Sequence, residues 1–378
     1  MQTDNFIGKR GALALGLVAF SGLFFLCNYF YLERTVCSDM AYHVFVLAQT
    51  KWFAIQNYRY GAGLSQLFPL LSMKLGVPLK LVLKYYSLSF YFWYLVYFAI
   101  LLFALRQNSI ALLLPLCLVI ITSDVFYWAQ TELPQAMAFL ILTMGVIVAF
   151  CKANDRPPIW KTVVIAGCLV TSIFFHPLIV FPLLFSLMYF YLNKNITGRQ
   201  LLFLIIGTVA VLVFKSAAFK IGEYETKKYD GLNNFISLFP DYFSIRSNQF
   251  TFSELYSNYI FLTVALLLLI GYYIWKKYWL KLALLVSFVF GYTMVCNVAH
   301  PDLGRGIYLQ NMHLLLTVII LLPFLMEVAP QVRKQYMFLV FLVVMIVRLV
   351  HIYNVKEAYT VRLNFVKKLV AEARQYPG

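Results

Sequence analysis

The chain has 378 residues, of which 62% are hydrophobic and 12% are charged. Soluble globular domains carry about a quarter charged residues, so this composition excludes an ordinary soluble domain. The net charge of +16 does not indicate a nucleic-acid-binding protein, because the basic residues are dispersed between apolar segments and form no basic arm. We therefore expect an all-α, polytopic membrane protein whose positive charge serves topology and contacts with anionic lipid or phosphate.

Apolar segments recur along the whole chain and predict one membrane domain over residues 1–378. The first segment, Gly11 to Tyr31, is too long and too aromatic for a cleaved signal peptide and is predicted to be a signal anchor with its N-terminus inside. We predict a bundle of about eleven spans. They lie near residues 11–31, 86–105, 109–123, 135–151, 162–175, 177–192, 201–217, 258–274, 282–298, 312–329 and 337–352.

Three segments fall on the outer side of the membrane in this assignment. Residues 32–85 form a first outer loop with juxtamembrane helices, since a weakly amphipathic stretch precedes a segment that is too short and broken to span. Residues 218–257 form a large aromatic outer loop, longer than ordinary connections and suited to covering a site or stacking on a sugar. Residues 353–378 form an outer tail, although its five basic residues would fit better inside.

The acidic residues are concentrated on this predicted outer side. Apart from Asp4, Asp155 and Glu327, every carboxylate falls there. An active site is therefore expected to face outward.

Several familiar kinds of site have no motif in the sequence. The six cysteines include no CxxC pair, so neither a disulfide framework nor a thiolate metal site is indicated. No Walker motif, GxSxG or HExxH occurs, and no GxGxxG follows a strand pattern, so soluble nucleotide chemistry has no support.

The stretch CSDMAYHVF begins the first outer loop and contains the first candidate catalytic residue, Asp39. A short acidic side chain before a helix is a preferred N-cap, so Asp39 could serve only to begin the helix. A carboxylate held at the membrane surface could equally act as a general base. Tyr42 and His43 follow at i+3 and i+4, where a helix places them beside Asp39. His43 could orient the carboxylate, bind phosphate or simply be solvated.

Glu132, in TELPQAMAF, is the second acidic candidate. Pro134 suits the first turn of the helix that follows, and an acid at that position complements the helix dipole. That role is purely structural. Alternatively, Glu132 and Asp39, both placed at helix starts on the outer side, converge on one site.

Two further candidates lie at predicted outer helix ends. His176 precedes Pro177 in TSIFFHPLIVF, where proline supplies the break between two spans. A buried, structurally satisfied histidine is one interpretation, and an ionisable group in a binding site at membrane depth is the other. Lys215 lies near the outer end of its span and could add positive charge.

The segment GRGIYLQNMHLLL carries the candidate phosphate ligand, Arg305. Its neighbours Gly304 and Gly306 leave the guanidinium unobstructed, and the guanidinium fork suits phosphate oxygens. The alternative is an interfacial arginine that snorkels to the headgroups. The flanking glycines favour phosphate binding because snorkelling does not require them.

The order of these features resembles the C-type superfamily of integral membrane glycosyltransferases. Its members carry an acid early in a long first outer loop, similar to SDMAYH followed by RYGAGLSQLFPLLSMKLG, and a second acid before a helix, similar to TELPQAMAFL. A late outer segment with an arginine and a tyrosine is similar to GRGIYLQNMHLLL, which contains Tyr308.

The resemblance implies an enzyme that moves a hexosyl or pentosyl group from a polyprenyl-phosphate-linked donor to a glycan, lipid or protein acceptor of the cell envelope. It implies a bacterial inner membrane, with an active site that faces the periplasm. Asp39 would be the base, and Arg305 with Lys215 would stabilise the departing phosphate. Glu132 would position the acceptor, assist the base or hold a divalent cation, although two carboxylates and His176 are too few to define a metal site.

Two other functions remain open at the level of sequence. A glycan polymerase or ligase that acts on lipid-linked intermediates would share the outer arginines and the large outer loop. A transporter should show inverted repeats and polar or broken helices at the midplane. The predicted spans are nearly free of central charges and show no repeat, which disfavours a transporter without excluding it.

Overall fold

The computed structural model describes residues 7–36, 38–129, 132–151, 158–219, 230–302 and 306–375. This part of the chain is 84% helical and has no β-strand. The prediction of an all-α fold is therefore confirmed.

The α-helices vary from four to 21 residues. They are α1 (Lys9–Tyr29), α2 (Tyr31–Thr35), α3 (Ser38–Thr50), α4 (Gly63–Lys74), α5 (Leu79–Ala99), α6 (Asn108–Val119), α7 (Asp124–Tyr127), α8 (Glu132–Phe150), α9 (Ile159–Phe175), α10 (Val180–Leu192), α11 (Gly198–Ala218), α12 (Asn234–Ser237), α13 (Arg246–Tyr256), α14 (Ile260–Trp275), α15 (Trp279–Ala299), α16 (Gly306–Pro323), α17 (Lys334–Asn354) and α18 (Lys356–Ala373).

Seven helical runs within the described ranges are long and apolar enough to cross a membrane. They are Lys9–Tyr29, Leu79–Ala104, Glu132–Phe150, Gly198–Ala218, Trp279–Ala299, Gly306–Gln331 and Lys334–Ala373. An eighth span results if α13 and α14, which meet at a bend of 84°, are counted together. The predicted number of about eleven is not confirmed.

The difference from eleven arises largely from three short apolar helices: α6, α9 and the run Pro177–Leu192, each of 10–17 residues. At about 1.5 Å per residue, each is shorter than a hydrocarbon core of about 30 Å. Hydropathy alone counts these segments as spans because they are as apolar as the longer ones. In α6 the apolar character reflects burial on all sides within the bundle.

The first outer loop folds into helices between α1 and α5. Helix α3 buries Met40, His43 and Leu47. Phe45 on its other face is exposed, and so is Trp52 just beyond the end of the helix. An exposed apolar stripe opposite a buried face is the pattern of a helix that lies on a bilayer surface. A 3₁₀ turn, Tyr60–Ala62, then leads into α4, which packs along α5.

The described part of the large outer loop covers the C-terminal end of α15. Asn234 Nδ2 donates to Val298 O at 3.1 Å, and Ser247 Oγ donates to Asn297 O at 2.8 Å. These bonds satisfy carbonyl groups at a helix end that has no further turn to receive them.

The C-terminal tail is helical and is joined to the bundle. α17 and α18 are separated only by Val355 and form one helical run of 40 residues, in which α17 is the apolar part. Tyr359 OH donates to Asp124 Oδ1 at 2.9 Å, and Thr360 Oγ1 donates to Glu33 Oε1 at 3.4 Å. α18 therefore lies at the same end of the bundle as these two acids.

Candidate functional site

The first candidate, Asp39, lies in the first turn of α3. The helix begins one residue earlier, at Ser38, so Asp39 is a residue of the first turn. The exposed carboxylate still stabilises the helix through the positive end of its dipole. The continuous helix confirms that Tyr42 and His43 follow Asp39 by three and four residues on one face.

His43 is the buried centre of the first outer loop, with 2% of its surface exposed. Its Nδ1 lies 3.5 Å from Gln66 Nε2 of α4, and Gln66 is itself bonded to both the N–H and the carbonyl of Ala54. Burial lowers the pKa of His43 below its ordinary value of 6.5, and the negative charges of Glu132 and Asp39 only partly oppose this shift. The structure thus brings both predicted acids into the electrostatic surroundings of one neutral imidazole.

Glu132 begins α8, and Pro134 lies in the first turn of that helix, as predicted. Arg59 Nη1 lies 2.9 Å from Glu132 Oε2, and only 6% and 17% of the two side chains are exposed. A hydrogen bond between two charged groups is stronger than one between neutral groups. Glu132 is therefore paired with Arg59. The Asp39 side chain is exposed.

Gly61 allows the turn that carries Arg59 to approach α9. A Cβ atom at Gly61 would lie 2.3 Å from the ring of Phe175, the last residue of α9. Only glycine permits this contact without movement of the ring. This close packing holds the turn that follows Arg59 against the end of α9.

His176 follows Phe175 and breaks the chain between α9 and a 3₁₀ turn, Pro177–Ile179, so the predicted break is confirmed. Its Nδ1 accepts a hydrogen bond from Leu178 N at 3.2 Å, and the side chain is buried. The bond caps the turn, which is the structural role that the sequence left open for this residue.

Lys215 lies at the outer edge of the same region. Its Nζ donates to Ile173 O at 3.1 Å, near the end of α9, and lies 5.2 Å from the centroid of the Phe174 ring. Phe174 packs on Phe219, which packs on Tyr58. Lys215 thus borders an aromatic cluster beside the turn that carries Arg59.

The late candidates are only partly described. Arg305 lies outside the described residues. Tyr308 is exposed, and its ring packs edge-on against Trp128 with 4.5 Å between centroids. The late segment is therefore joined to the connection that leads into Glu132.

The described residues contain no cluster of three or more His, Cys, Asp or Glu side chains that could hold a metal ion. Glu132 enters the site as the partner of Arg59.

Arg59 and Gln66 are the residues of this site that sequence reasoning missed. Both lie in the stretch YRYGAGLSQ, where one arginine and one glutamine interrupt an otherwise weakly polar run. That interruption is the only signal in the sequence, and it does not identify their partners.

Comparisons with protein-family models, with curated proteins and with solved structures find no match to this chain. Its function must therefore be argued from its own residues.

Proposed function

We propose that the protein is a membrane glycosyltransferase that moves a sugar from a polyprenyl-phosphate-linked donor to an acceptor hydroxyl. The observation that carries the proposal is that the charges of Asp39 and Glu132 both act on the buried His43, while Glu132 is paired with Arg59. An exposed carboxylate beside a buried, charge-balanced cluster is a suitable arrangement for a general base at a membrane surface.

The proposed roles follow from exposure and pairing. Asp39 accepts the proton of the acceptor hydroxyl, whose oxygen then bonds to the anomeric carbon of the sugar. The bond between that carbon and the phosphate oxygen breaks, and the phosphate leaves with the electron pair. Arg305 and Lys215 stabilise its charge, while Glu132, through Arg59, holds the first outer loop against α8.

In the cell, the proposed reaction takes place on the periplasmic side of a bacterial inner membrane. The exposed apolar side chains of α3, Phe45 among them, would hold Asp39 at the headgroup level, where a lipid-linked donor presents its phosphate. The transferred group is a hexosyl or pentosyl unit, and the acceptor is a glycan, lipid or protein of the cell envelope.

The test is transfer of radiolabelled sugar from polyprenyl-phosphate donors by the full-length protein in nanodiscs. Asp39→Asn should lower the transfer rate about 10²- to 10⁴-fold. Glu357→Gln is the matched control, because Glu357 is an exposed acid in the first turn of another helix, α18. Full activity in Asp39→Asn, or no transfer by the wild type with any donor, would reject the proposal.

A further inference from the structure

Arg34, in α2, is a buried arginine that has no carboxylate partner among the described residues. Only 1% of its surface is exposed. Its Nε donates to Ser87 Oγ at 2.9 Å, and its terminal nitrogens donate to the carbonyl oxygens of Phe126 and Ser87. No ion pair formed by the described residues includes Arg34.

The guanidinium also lies over aromatic rings, at 4.3 Å from the centroid of Phe126 and 5.5 Å from that of Tyr91. Ring faces attract a cation but carry no net charge. A guanidinium has five N–H donors, of which three donate to Ser87 and Phe126, and the Tyr91 hydroxyl is also hydrogen-bonded to the group. A buried positive charge with neutral partners is costly unless an anion binds to it.

Arg348 provides a contrast within the same bundle. It is equally buried and donates to Val119 O at 3.2 Å and to Thr122 O at 2.9 Å, at the C-terminal end of α6. The negative end of that helix and the charge of Glu254 both act on it. Arg348 thus has its compensating charge within the protein.

Arg34 lines a small pocket between α5 and the connection that follows α6. Five of its twelve lining residues are aromatic, and Pro134 from the first turn of α8 is another. Trp128 lines the same pocket; 8% of its surface is exposed, and its buried Nε1–H has no hydrogen-bond partner among the described residues. A buried guanidinium and an indole N–H without a partner in the described part of the chain therefore line one pocket.

We infer that Arg34 and the indole N–H of Trp128 form a binding site for a phosphoryl group, carried by a lipid or free in solution. A guanidinium binds tetrahedral phosphate oxygens through parallel N–H donors, and the indole N–H supplies another. The bound anion neutralises Arg34 and satisfies Trp128 in one step. The site does not depend on the proposed sugar transfer, because its residues are separate from Asp39.

Binding can be measured by isothermal titration of the full-length protein in nanodiscs with geranyl phosphate, inorganic phosphate and geraniol. The wild type should bind geranyl phosphate saturably and should not bind geraniol. Affinity for geranyl phosphate well above that for inorganic phosphate identifies a lipid as the source. Equal affinities identify the phosphoryl group alone.

Three variants separate a binding role from a structural one. Arg34→Gln should weaken binding of geranyl phosphate at least tenfold, while Arg348→Gln should leave it unchanged. Trp128→Phe removes the N–H but keeps a ring in place, so it should weaken binding several-fold without lowering the unfolding midpoint of the ligand-free protein.

The inference is overturned if neither phosphate probe binds the wild type, or if Arg34→Gln binds as tightly as the wild type. Undiminished binding by Trp128→Phe would overturn the two-donor site. Asp39→Asn should bind phosphate normally. Loss of sugar transfer with normal phosphate binding tests the proposed function. Loss of phosphate binding with normal sugar transfer tests the Arg34 site.

Discussion

Arg59 and Glu132 form an ion pair of 2.9 Å across 73 residues of sequence. The pair joins the first outer loop to the first residue of α8, and both side chains are mostly buried. The loop that carries Asp39 is therefore positioned by a charge on the bundle itself.

Breaking this pair should destabilise the protein. Glu132→Gln leaves Arg59 buried without its counter-charge, so we expect the free energy of unfolding to fall by about 3 kcal/mol or more. Lys368→Gln is the control, because it removes an exposed pair with Glu372 and should change stability by less than about 0.5 kcal/mol. Denaturant unfolding in detergent measures both variants, and equal small effects would contradict a stabilising role for the buried pair.

The glycine at residue 61 offers a steric test. Gly61→Ala places a methyl group against the Phe175 ring and should cost about 1–3 kcal/mol of stability. Gly63→Ala is the matched control, since the nearest atom to its Cβ would be at 3.5 Å. Adding Phe175→Leu to Gly61→Ala should restore part of the loss. The midpoints of thermal unfolding measure these effects. An unchanged midpoint for Gly61→Ala would show that the turn can move away from the Phe175 ring.

The neutral state of His43 predicts a pH dependence. Because burial lowers its pKa in the folded protein, the unfolded chain binds more protons once the pH falls below about 6.5. Stability should therefore be complete well above pH 6.5, decline as the pH falls below about 6.5, and become constant again once the pH is below the lower folded-state pKa. Comparison of unfolding midpoints between pH 7.5 and 5.0 should show a smaller decline for His43→Gln than for the wild type. Parallel curves would mean that His43 does not contribute.

A second buried pair should influence stability without influencing the site. Lys281 Nζ lies 2.8 Å from Glu327 Oε1 and 2.6 Å from Asn193 Oδ1. Glu327 is 19 residues beyond Tyr308 along one helical run, which separates them by about 28 Å. Lys281→Met should lower the free energy of unfolding by about 3 kcal/mol. Transfer and phosphate binding per folded molecule should be unchanged, and an altered phosphate affinity would contradict this separation.

Local sequence relationships predicted local structure well. The spacing of Asp39 and His43, the position of Pro134 in a first helical turn and the break at His176 all depend on residues within a few positions of one another. Backbone geometry alone determines such relationships.

The contacts that assemble the site could not be predicted in the same way. The partner of Arg59 lies in a different helix, and the environment of Arg34 depends on how α2 meets α5 and the connection after α6. Nothing in a single sequence specifies those distances. The number of spans was overestimated for a related reason. Hydropathy does not distinguish α6, which is buried by other helices, from a helix with mostly exposed side chains such as α11.

The continuous run Lys334–Ala373 has a geometric consequence for imaging the protein. Forty helical residues measure about 60 Å, whereas the hydrocarbon core of a bilayer measures about 30 Å. Roughly half of this length exceeds the hydrocarbon core, and this excess is joined to Glu33 and Asp124. A rigid helical protein fused after Ala373, so that its first helix continues α18, would provide a marker for particle alignment in electron cryomicroscopy.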